Sequence, residues 1–320
     1  MACTVGIDVG GTKTALGLLD ESCALVAKRA MKSDPELPFS EMLDAIATEL
    51  DALLYEAGVS RSALSGVGIG LPGHVHFRKG MLLTAPNLPR WAGKNVRQAA
   101  EARFGVPCVA DNDANAAALA EFAMGAGRGS GNMAYVTVST GVGCGLILNG
   151  RLFRGSYGAA GEIGHLFVTD SGINPCGCGR KSCAEAMSSG TGMANYAKIR
   201  LAEGEKSVLP ELAGGAARIT ARHIAEAARA GDALALEAVD RAAEGLARAF
   251  YNLYQLLNCD TLVYGGGVAG FGSLLFDRVE RRFFELMPMA REYPMRMLPA
   301  KLGGDAGIIG AALLVSREKT

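Results

Sequence analysis

The spacing of apolar residues predicts a chain of alternating helices and strands. Leucine and isoleucine recur at helical intervals within residues 41–57, and Gly58 follows where that helix should end. The next apolar run, SGVGIGLPG at residues 65–73, is continuous, which indicates a buried strand and a turn. The same reasoning predicts helices at 95–104, 114–124 and 246–257, and strands at 106–113 and 261–264. Such an alternation favours an α/β fold.

Two stretches share one plan: an apolar strand, a glycine-rich turn and a second apolar strand. The first is VGIDVGGTKTALGLLD at residues 5–20, and the second is YVTVSTGVGCGLILNG at residues 135–150. Both predict β-hairpins whose tight turns expose backbone N–H groups. A duplicated hairpin in a chain of 320 residues, long enough for about two domains, indicates two related α/β halves with a cleft between them.

Composition narrows the classes of partner. Lysine plus arginine and aspartate plus glutamate number 32 each, so overall charge does not favour nucleic acid or an anionic membrane. The N-terminus, MACTVGIDVGG, lacks the basic and long apolar segments of a signal peptide. The best membrane-spanning candidate, residues 308–315, is too short. We therefore expect a soluble, cytoplasmic protein.

Cysteine usage indicates one site. Three of the eight cysteines crowd into CGCGRKSC at residues 176–183, and a cluster in the reducing cytoplasm is more often metal-binding or catalytic than a disulfide. Together with His165, the thiols of Cys176, Cys178 and Cys183 form a complete tetrahedral zinc set. A redox pair of Cys176 and Cys178 is the alternative. The remaining cysteines are expected to be small buried hydrophobes: Cys3, Cys23, Cys108, Cys144 and Cys259.

The glycine clusters include one misleading motif. GIGLPG at residues 68–73 matches the dinucleotide fingerprint, but no acidic residue lies at 74–100 to hold a ribose, so we reject a dehydrogenase. The P-loop pattern is also absent. Two turns remain that could point N–H groups and hydroxyls at phosphate oxygens, although either alone could be a plain hairpin turn. They comprise Asp8, Gly10, Gly11, Thr12 and Lys13, then Ser139, Thr140, Gly141 and Gly143, with Gly265, Gly266 and Gly267 as a third contact near the nucleoside.

Eight motifs follow one another along the chain: DVGGTKT, LPG, APN, DNDANAAALAE, STGVGCG, GEIGH, CGCGRKSCAE and GGG. In this order they resemble the ROK family of repressors, open reading frames and sugar kinases, over essentially the whole chain. The resemblance implies a two-domain, actin-like (ribonuclease H-like) α/β fold with the active-site cleft between the domains. It also implies a small N-terminal domain of residues 1–113 plus 304–320 and a larger C-terminal domain of residues 114–303 with a zinc-binding loop.

The same resemblance assigns roles on the sugar side. It makes Asp113 the base that accepts the proton of the attacking hydroxyl, although a lone aspartate before a helix is ordinarily a cap. The implied sugar contacts are Gly73, Asn87, Asn112, Asp113, Glu162, His165 and Glu185.

The resemblance makes the zinc structural and closed to water. His165 would then hold zinc with one ring nitrogen and meet the sugar with the other. Gly161 and Gly164 favour a loop around Glu162 and His165 over a helix. Three residues depart from the usual family pattern without removing a ligand: Ser182, Ala184 and Cys144.

The implied function is an ATP-dependent hexose 6-kinase, a glucokinase, with Mg²⁺ bridging the phosphates and Asp8 positioning them or a water. The alternative in the family is an N-acetylglucosamine or N-acetylmannosamine kinase. From another class, a sugar-responsive repressor would need a helix-turn-helix ahead of DVGG, where we expect no room for one. A non-catalytic sugar sensor is disfavoured by Asp113. We expect a homodimer that binds hexose and ATP, and neither nucleic acid nor membrane.

Overall fold

The computed structural model describes residues 3–317. Their strands are β1 (Cys3–Val9), β2 (Lys13–Leu19), β3 (Leu25–Lys32), β4 (Leu64–Leu71), β5 (His74–His76), β6 (Met81–Thr84), β7 (Lys94–Asn95), β8 (Cys108–Asn112), β9 (Met133–Val138), β10 (Val142–Leu148), β11 (Arg151–Phe153), β12 (Thr261–Gly265) and β13 (Arg296–Pro299). The α-helices are α1 (Phe39–Glu56), α2 (Val96–Phe104), α3 (Asp113–Ala123), α4 (Ala184–Ser188), α5 (Gly190–Ala202), α6 (Leu209–Ala213), α7 (Ala221–Arg229), α8 (Ala233–Leu257), α9 (Ser273–Leu286) and α10 (Ala306–Arg317). The predicted α/β class is confirmed.

Two five-stranded sheets follow the same plan. The first has the order β3-β2-β1-β4-β8, and the second has the order β11-β10-β9-β12-β13. In the first, β2 is antiparallel to β1 and β3, while β1, β4 and β8 run parallel. In the second, β10 is antiparallel to β11, while β9, β12 and β13 run parallel. The predicted hairpins supply β1 and β2 in one sheet and the neighbours β9 and β10 in the other, as expected of related halves.

The chain divides into two compact units. One comprises the residues up to Gly129, Gly145–Ala160 and the residues from Lys301 onward, and the other comprises Ser130–Cys144 and Gly161–Ala300. The predicted division, which placed 114–303 in a single domain, stays a prediction. Residues 1, 2 and 318–320, which it assigned to the N-terminal domain, lie outside the described residues.

Most helix predictions agree with the structure at one or both ends. Helices α1, α2 and α3 begin and end within two residues of the predicted bounds. The predicted helix at 246–257 is only the second half of α8, which begins at Ala233 after Asp232 accepts a hydrogen bond from Ala235 N–H. The first turns of α8 are rich in alanine, whose weak hydrophobicity hides the helical period. No helix in the described part of the chain is both long and apolar enough to cross a membrane.

The expectation of buried cysteines holds with one exception. Cys3, Cys108, Cys144 and Cys259 are buried. Cys23 is partly exposed and has a φ of 63°, because it lies in the tight turn between β2 and β3, where its N–H donates to Asp20 O over 3.0 Å. The prediction was wrong for Cys23, since a turn residue has no core to enter.

The C-terminal helix α10 packs on the first sheet with almost no space between the backbones. A Cβ at Gly6 of β1 would lie 1.7 Å from Ile308 O, and a Cβ at Gly68 of β4 would lie 1.7 Å from Ala311 O. A 3₁₀ turn at Gly303–Asp305 precedes α10, so the segment from about residue 304 packs on the sheet formed by the N-terminal strands. The glycines of GIGLPG thus lie in or just after a strand that contacts a helix, which agrees with rejecting a dinucleotide fingerprint.

Replacing Gly68 with alanine should lower the free energy of unfolding by about 3 kcal/mol or more, because the new methyl group would overlap the Ala311 carbonyl and the backbones would have to separate. Gly304→Ala is the matched control, since no atom lies within 4 Å of the added Cβ there. Urea unfolding followed by circular dichroism gives both free energies. A Gly68→Ala variant within about 0.5 kcal/mol of the wild type would contradict this packing.

Candidate functional site

The first glycine turn joins β1 to β2 and lies against Asn87. Gly10 N–H donates to Lys13 O over 2.9 Å, which closes the turn. A Cβ at Gly11 would lie 2.8 Å from Asn87 O, so a side chain at Gly11 would collide with that residue. The predicted phosphate turn and the predicted sugar residue Asn87 are therefore neighbours within the first unit.

Asp8 is the second-to-last residue of β1, beside this turn. Burial raises the pKa of its carboxyl group, and the opposing charge of Lys13 limits that rise. A Cβ at Gly70 would lie 3.8 Å from Asp8 Oδ1 and 3.7 Å from Asp113 Cα. Asp8 and Asp113 therefore both lie close to Gly70, at the carboxyl ends of the parallel strands β1, β4 and β8.

The junction between β8 and α3 is built on Asn112. Its Oδ1 accepts hydrogen bonds from Ala114 N–H (2.9 Å) and Asn115 N–H (3.2 Å), and its Nδ2 donates to Gly73 O (3.0 Å). Asn112 is therefore the helix cap, the role that sequence reasoning had weighed for Asp113. Asp113 is the first helical residue, and its Oδ1 accepts from Ala114 N–H over 2.8 Å. A carboxylate at this position is stabilised by the positive end of the helix dipole.

The second glycine turn joins β9 to β10 in the second unit. Ser139 N–H donates to Gly141 O (2.9 Å), and Ser139 O accepts from Gly190 N–H (2.7 Å). Glu185 contacts the same turn, because its Oε2 accepts from Val142 N–H over 3.0 Å. This contact was not predicted, since nothing in the spacing of residues 142 and 185 indicates it.

A cavity of 430 Å³ opens beside this turn. Its lining includes the predicted residues Ser139 and Thr140, together with Gly267. The glycine following β12, Gly266, has a φ of 84°, and a Cβ there would lie 2.4 Å from Val138 O, so this position requires glycine. Gly143 lies within β10.

Sequence reasoning missed the remaining walls of this cavity. They are formed by residues of α5 and α7 and the segment before α7, among them Thr191, Asn195, Lys198, Thr220 and Arg222. Their only sequence signal is SSGTG at residues 188–192, a polar and glycine-rich start to a helix. A larger cavity of 590 Å³ in the same unit contains none of the predicted residues. Several of its charged groups pair with one another, as Arg248 does with Glu244 and Arg282 with Asp240.

The predicted zinc ligands come together in the second unit. One donor atom from each of His165, Cys176, Cys178 and Cys183 lies within 4.8 Å of all the others. Cys176 Sγ is 3.6 Å from His165 Nδ1, and Cys178 Sγ is 3.5 Å from Cys183 Sγ. A tetrahedral zinc with bonds of about 2.3 Å would separate two sulfurs by about 3.8 Å, so the donor set fits zinc. Backbone N–H donation from Arg180 lowers the pKa of Cys178, which favours the thiolate that binds metal.

The segment before the cluster differs from the expected loop. Residues Ile163–His165 form a 3₁₀ turn, preceded by Glu162. The tight turn brings His165 Nε2 to 4.0 Å from Glu162 Oε2, while Nδ1 faces Cys176. Gly164 lets this turn pack closely against Val142, because a Cβ there would lie 2.3 Å from Val142 O. The expectation of an irregular loop was therefore wrong.

The three departures from the family pattern fit their surroundings. Ser182 O accepts from Val168 N–H (2.9 Å), and Ala184 N–H donates to Leu166 O (3.0 Å), so both use backbone atoms to hold the cluster against the strand-like segment 166–168. Cys144 is buried within β10, and burial raises the pKa of its thiol. None of the three side chains is needed as a ligand.

Comparisons with known proteins agree over nearly the whole chain. The model of the ROK family matches residues 4–318. A glucokinase of Halalkalibacterium halodurans is 36% identical, covering 98% of this chain and 95% of its own. An N-acetylmannosamine kinase of Salmonella paratyphi A is 34% identical, covering 98% and 99%. A solved ROK family glucokinase from Streptomyces griseus, in complex with glucose and AMPPNP, superposes with a TM-score of 0.83 at 33% identity, covering 99% and 100%. This match confirms the predicted actin-like fold.

Proposed function

Because the chain belongs to the ROK family, we propose that it is an ATP-dependent hexose kinase that phosphorylates the 6-hydroxyl of glucose. The similar glucokinases support this choice of sugar. An N-acetylmannosamine kinase is the second candidate, supported by the relative from Salmonella paratyphi A. The observation that carries the proposal is the position of Asp113 at the start of α3, close to Gly70 as Asp8 is.

Asp113 is proposed as the general base. The proton of the sugar hydroxyl passes to its carboxylate as the oxygen attacks the γ-phosphorus of ATP, and ADP leaves. Asn112 already fills the capping role, so Asp113 is not needed for that purpose. Asp8 is proposed to position the Mg²⁺-bound phosphates or a water, where the magnesium would neutralise the charge that develops on the phosphates.

The sugar contacts remain proposals that follow the family pattern. Asn112 has one amide hydrogen beyond the one it donates to Gly73 O, and this hydrogen would meet a sugar hydroxyl. The other proposed contacts are Gly73, Asn87, Asp113, Glu162, His165 and Glu185. Fixed donors and acceptors of this kind discriminate strongly against sugars that leave one of them unpaired.

The nucleotide is proposed to lie along the two glycine turns. The phosphates would accept hydrogen bonds from the turn of Asp8, Gly10, Gly11, Thr12 and Lys13 and from the turn of Ser139, Thr140, Gly141 and Gly143. The nucleoside would occupy the 430 Å³ cavity, near Gly266.

The cluster of His165, Cys176, Cys178 and Cys183 is proposed to hold a structural zinc. Four protein ligands leave no open position for a substrate, as in structural rather than catalytic zinc sites. The alternative, a redox pair of Cys176 and Cys178, is disfavoured by the closeness of all four donor atoms. We also propose a cytoplasmic location and a homodimer. The proposed domains are a small one of residues 1–113 with 304–320 and a larger one of residues 114–303.

Asp113→Asn should lower kcat by roughly 100- to 10,000-fold, because an amide has the shape of the carboxylate but cannot accept the proton. Glucose affinity should stay close to that of the wild type. A coupled ADP-release assay gives kcat, and isothermal titration calorimetry gives the dissociation constant. Asp34→Asn, at an exposed position, is the control. Near-normal turnover in Asp113→Asn would remove this residue as the base.

Metal analysis should find about one zinc per chain. Cys183→Ser should lower both the zinc content and the melting temperature, because it removes a thiolate ligand. Cys23→Ser, in the turn between β2 and β3, should change neither. The zinc assignment fails if protein purified without chelators holds no zinc and Cys183→Ser melts like the wild type.

A further inference from the structure

A buried ion pair includes Asp111, the residue of β8 just before the junction with α3. The Asp111 side chain is only 3% exposed, and Arg154 Nε donates to its Oδ2 over 2.5 Å. The Arg154 side chain is 17% exposed. Moving two charges out of water is costly, and the cost is recovered only when both are paired and well hydrogen-bonded. A pair at this depth therefore needs a structural or functional explanation.

The second oxygen of Asp111 extends the pair into the capping network. Asp111 Oδ1 accepts from Asn112 N–H (2.7 Å) and from Asn115 Nδ2 (3.0 Å). Asn115 N–H in turn donates to Asn112 Oδ1. One carboxylate thus links Arg154 to the backbone of Asn112, and a shift of Asp111 would shift Asn112 and the following Asp113.

Arg154 also contacts an aromatic ring. Its guanidinium carbon lies 4.9 Å from the centre of the Phe77 ring, within reach of a cation–π contact. Arg154 lies in the loop that follows β11, and further along this loop Tyr157 O lies 3.1 Å from His74 Nε2. His74 follows Gly73, whose carbonyl receives the Asn112 amide. Both the loop after β11 and the helix cap Asn112 are therefore hydrogen-bonded to residues at the start of β5, His74 and Gly73.

We propose that Arg154 is a positioning residue for Asp113. Acting through Asp111, it fixes the Asn112 backbone and so sets the direction of the Asp113 carboxylate. Arg154 does not need to contact the sugar for this role. The part of the proposal that concerns turnover rests on the proposed kinase function. Because a displacement of about 1 Å can cost about 100-fold in rate, loss of the pair should affect kcat far more than sugar binding.

The first test compares two arginines of one hairpin. Arg154→Gln should lower kcat about 100-fold with a much smaller loss of glucose affinity, whereas Arg151→Gln, at an exposed position in β11, should leave both unchanged. Adding Asp111→Asn to Arg154→Gln should restore at least about tenfold of the lost kcat, because two amides can hydrogen-bond without leaving a buried charge. Equal kcat in the two arginine variants would overturn the proposal, as would a loss of kcat matched by an equal loss of glucose affinity.

The second test does not need turnover. Hydrogen exchange at the Asn112, Ala114 and Asn115 amides should be faster in Arg154→Gln than in the wild type and unchanged in Arg151→Gln. Unchanged exchange in Arg154→Gln would overturn the positioning role. Faster exchange in a protein whose wild type phosphorylates no hexose would support the positioning role and contradict the proposed function instead.

A third variant covers the case in which Arg154→Gln does not fold. Arg154→Lys keeps the positive charge, so Asp111 is not left unpaired. The lysine ammonium, however, lies at the tip of its side chain and cannot place a donor where Arg154 Nε lies. Its kcat should fall about tenfold with glucose affinity retained. A wild-type kcat in Arg154→Lys would overturn the proposal.

Discussion

Close packing between α10 and the first sheet is the constraint on which the first unit depends. Gly6 and Gly68 let the helix backbone reach the strand backbones, and Gly310 does the same for α10 and α3, where a Cβ would lie 1.7 Å from Ala116 O. Helix α10 therefore contacts both the sheet and the helix that begins with Asp113. This fixes the carboxyl ends of β1, β4 and β8 relative to the start of α3, which is where Asp8, Gly70 and Asp113 meet.

In the second unit, Glu185 connects two features that look separate in the sequence. Its Oε2 accepts from Val142 N–H in the glycine turn, and its Oε1 lies 3.3 Å from Cys176 Sγ. Glu185 is also the second residue of α4, the helix that begins directly after Cys183. The cluster of His165, Cys176, Cys178 and Cys183 therefore lies one side chain away from the turn proposed to bind phosphate. A structural zinc would then order both the side chains proposed to bind the sugar and that turn.

The sequence predicted those features that depend on local pattern. The hairpins, the first three helices and the cluster of His165, Cys176, Cys178 and Cys183 all follow from spacing within short segments. It could not predict contacts that depend on tertiary placement: Asn112 rather than Asp113 as the helix cap, the bond from Val142 to Glu185, and the pairing of Asp111 with Arg154, 43 residues apart. The 3₁₀ turn at His165 escaped prediction because glycine spacing alone does not distinguish it from a loop. Cys23 shows that residue type is a weaker guide to burial than position in a turn.

The most direct test of the kinase assignment is a coupled assay of ADP release by the wild-type protein. It compares kcat/KM for glucose, N-acetylglucosamine, N-acetylmannosamine, mannose and fructose, with ATP and Mg²⁺ in excess. The account predicts sugar-dependent ADP release with the highest kcat/KM for glucose. A higher kcat/KM for an N-acetylated sugar would overturn the glucokinase assignment, and ADP release that no sugar stimulates would contradict the account as a whole.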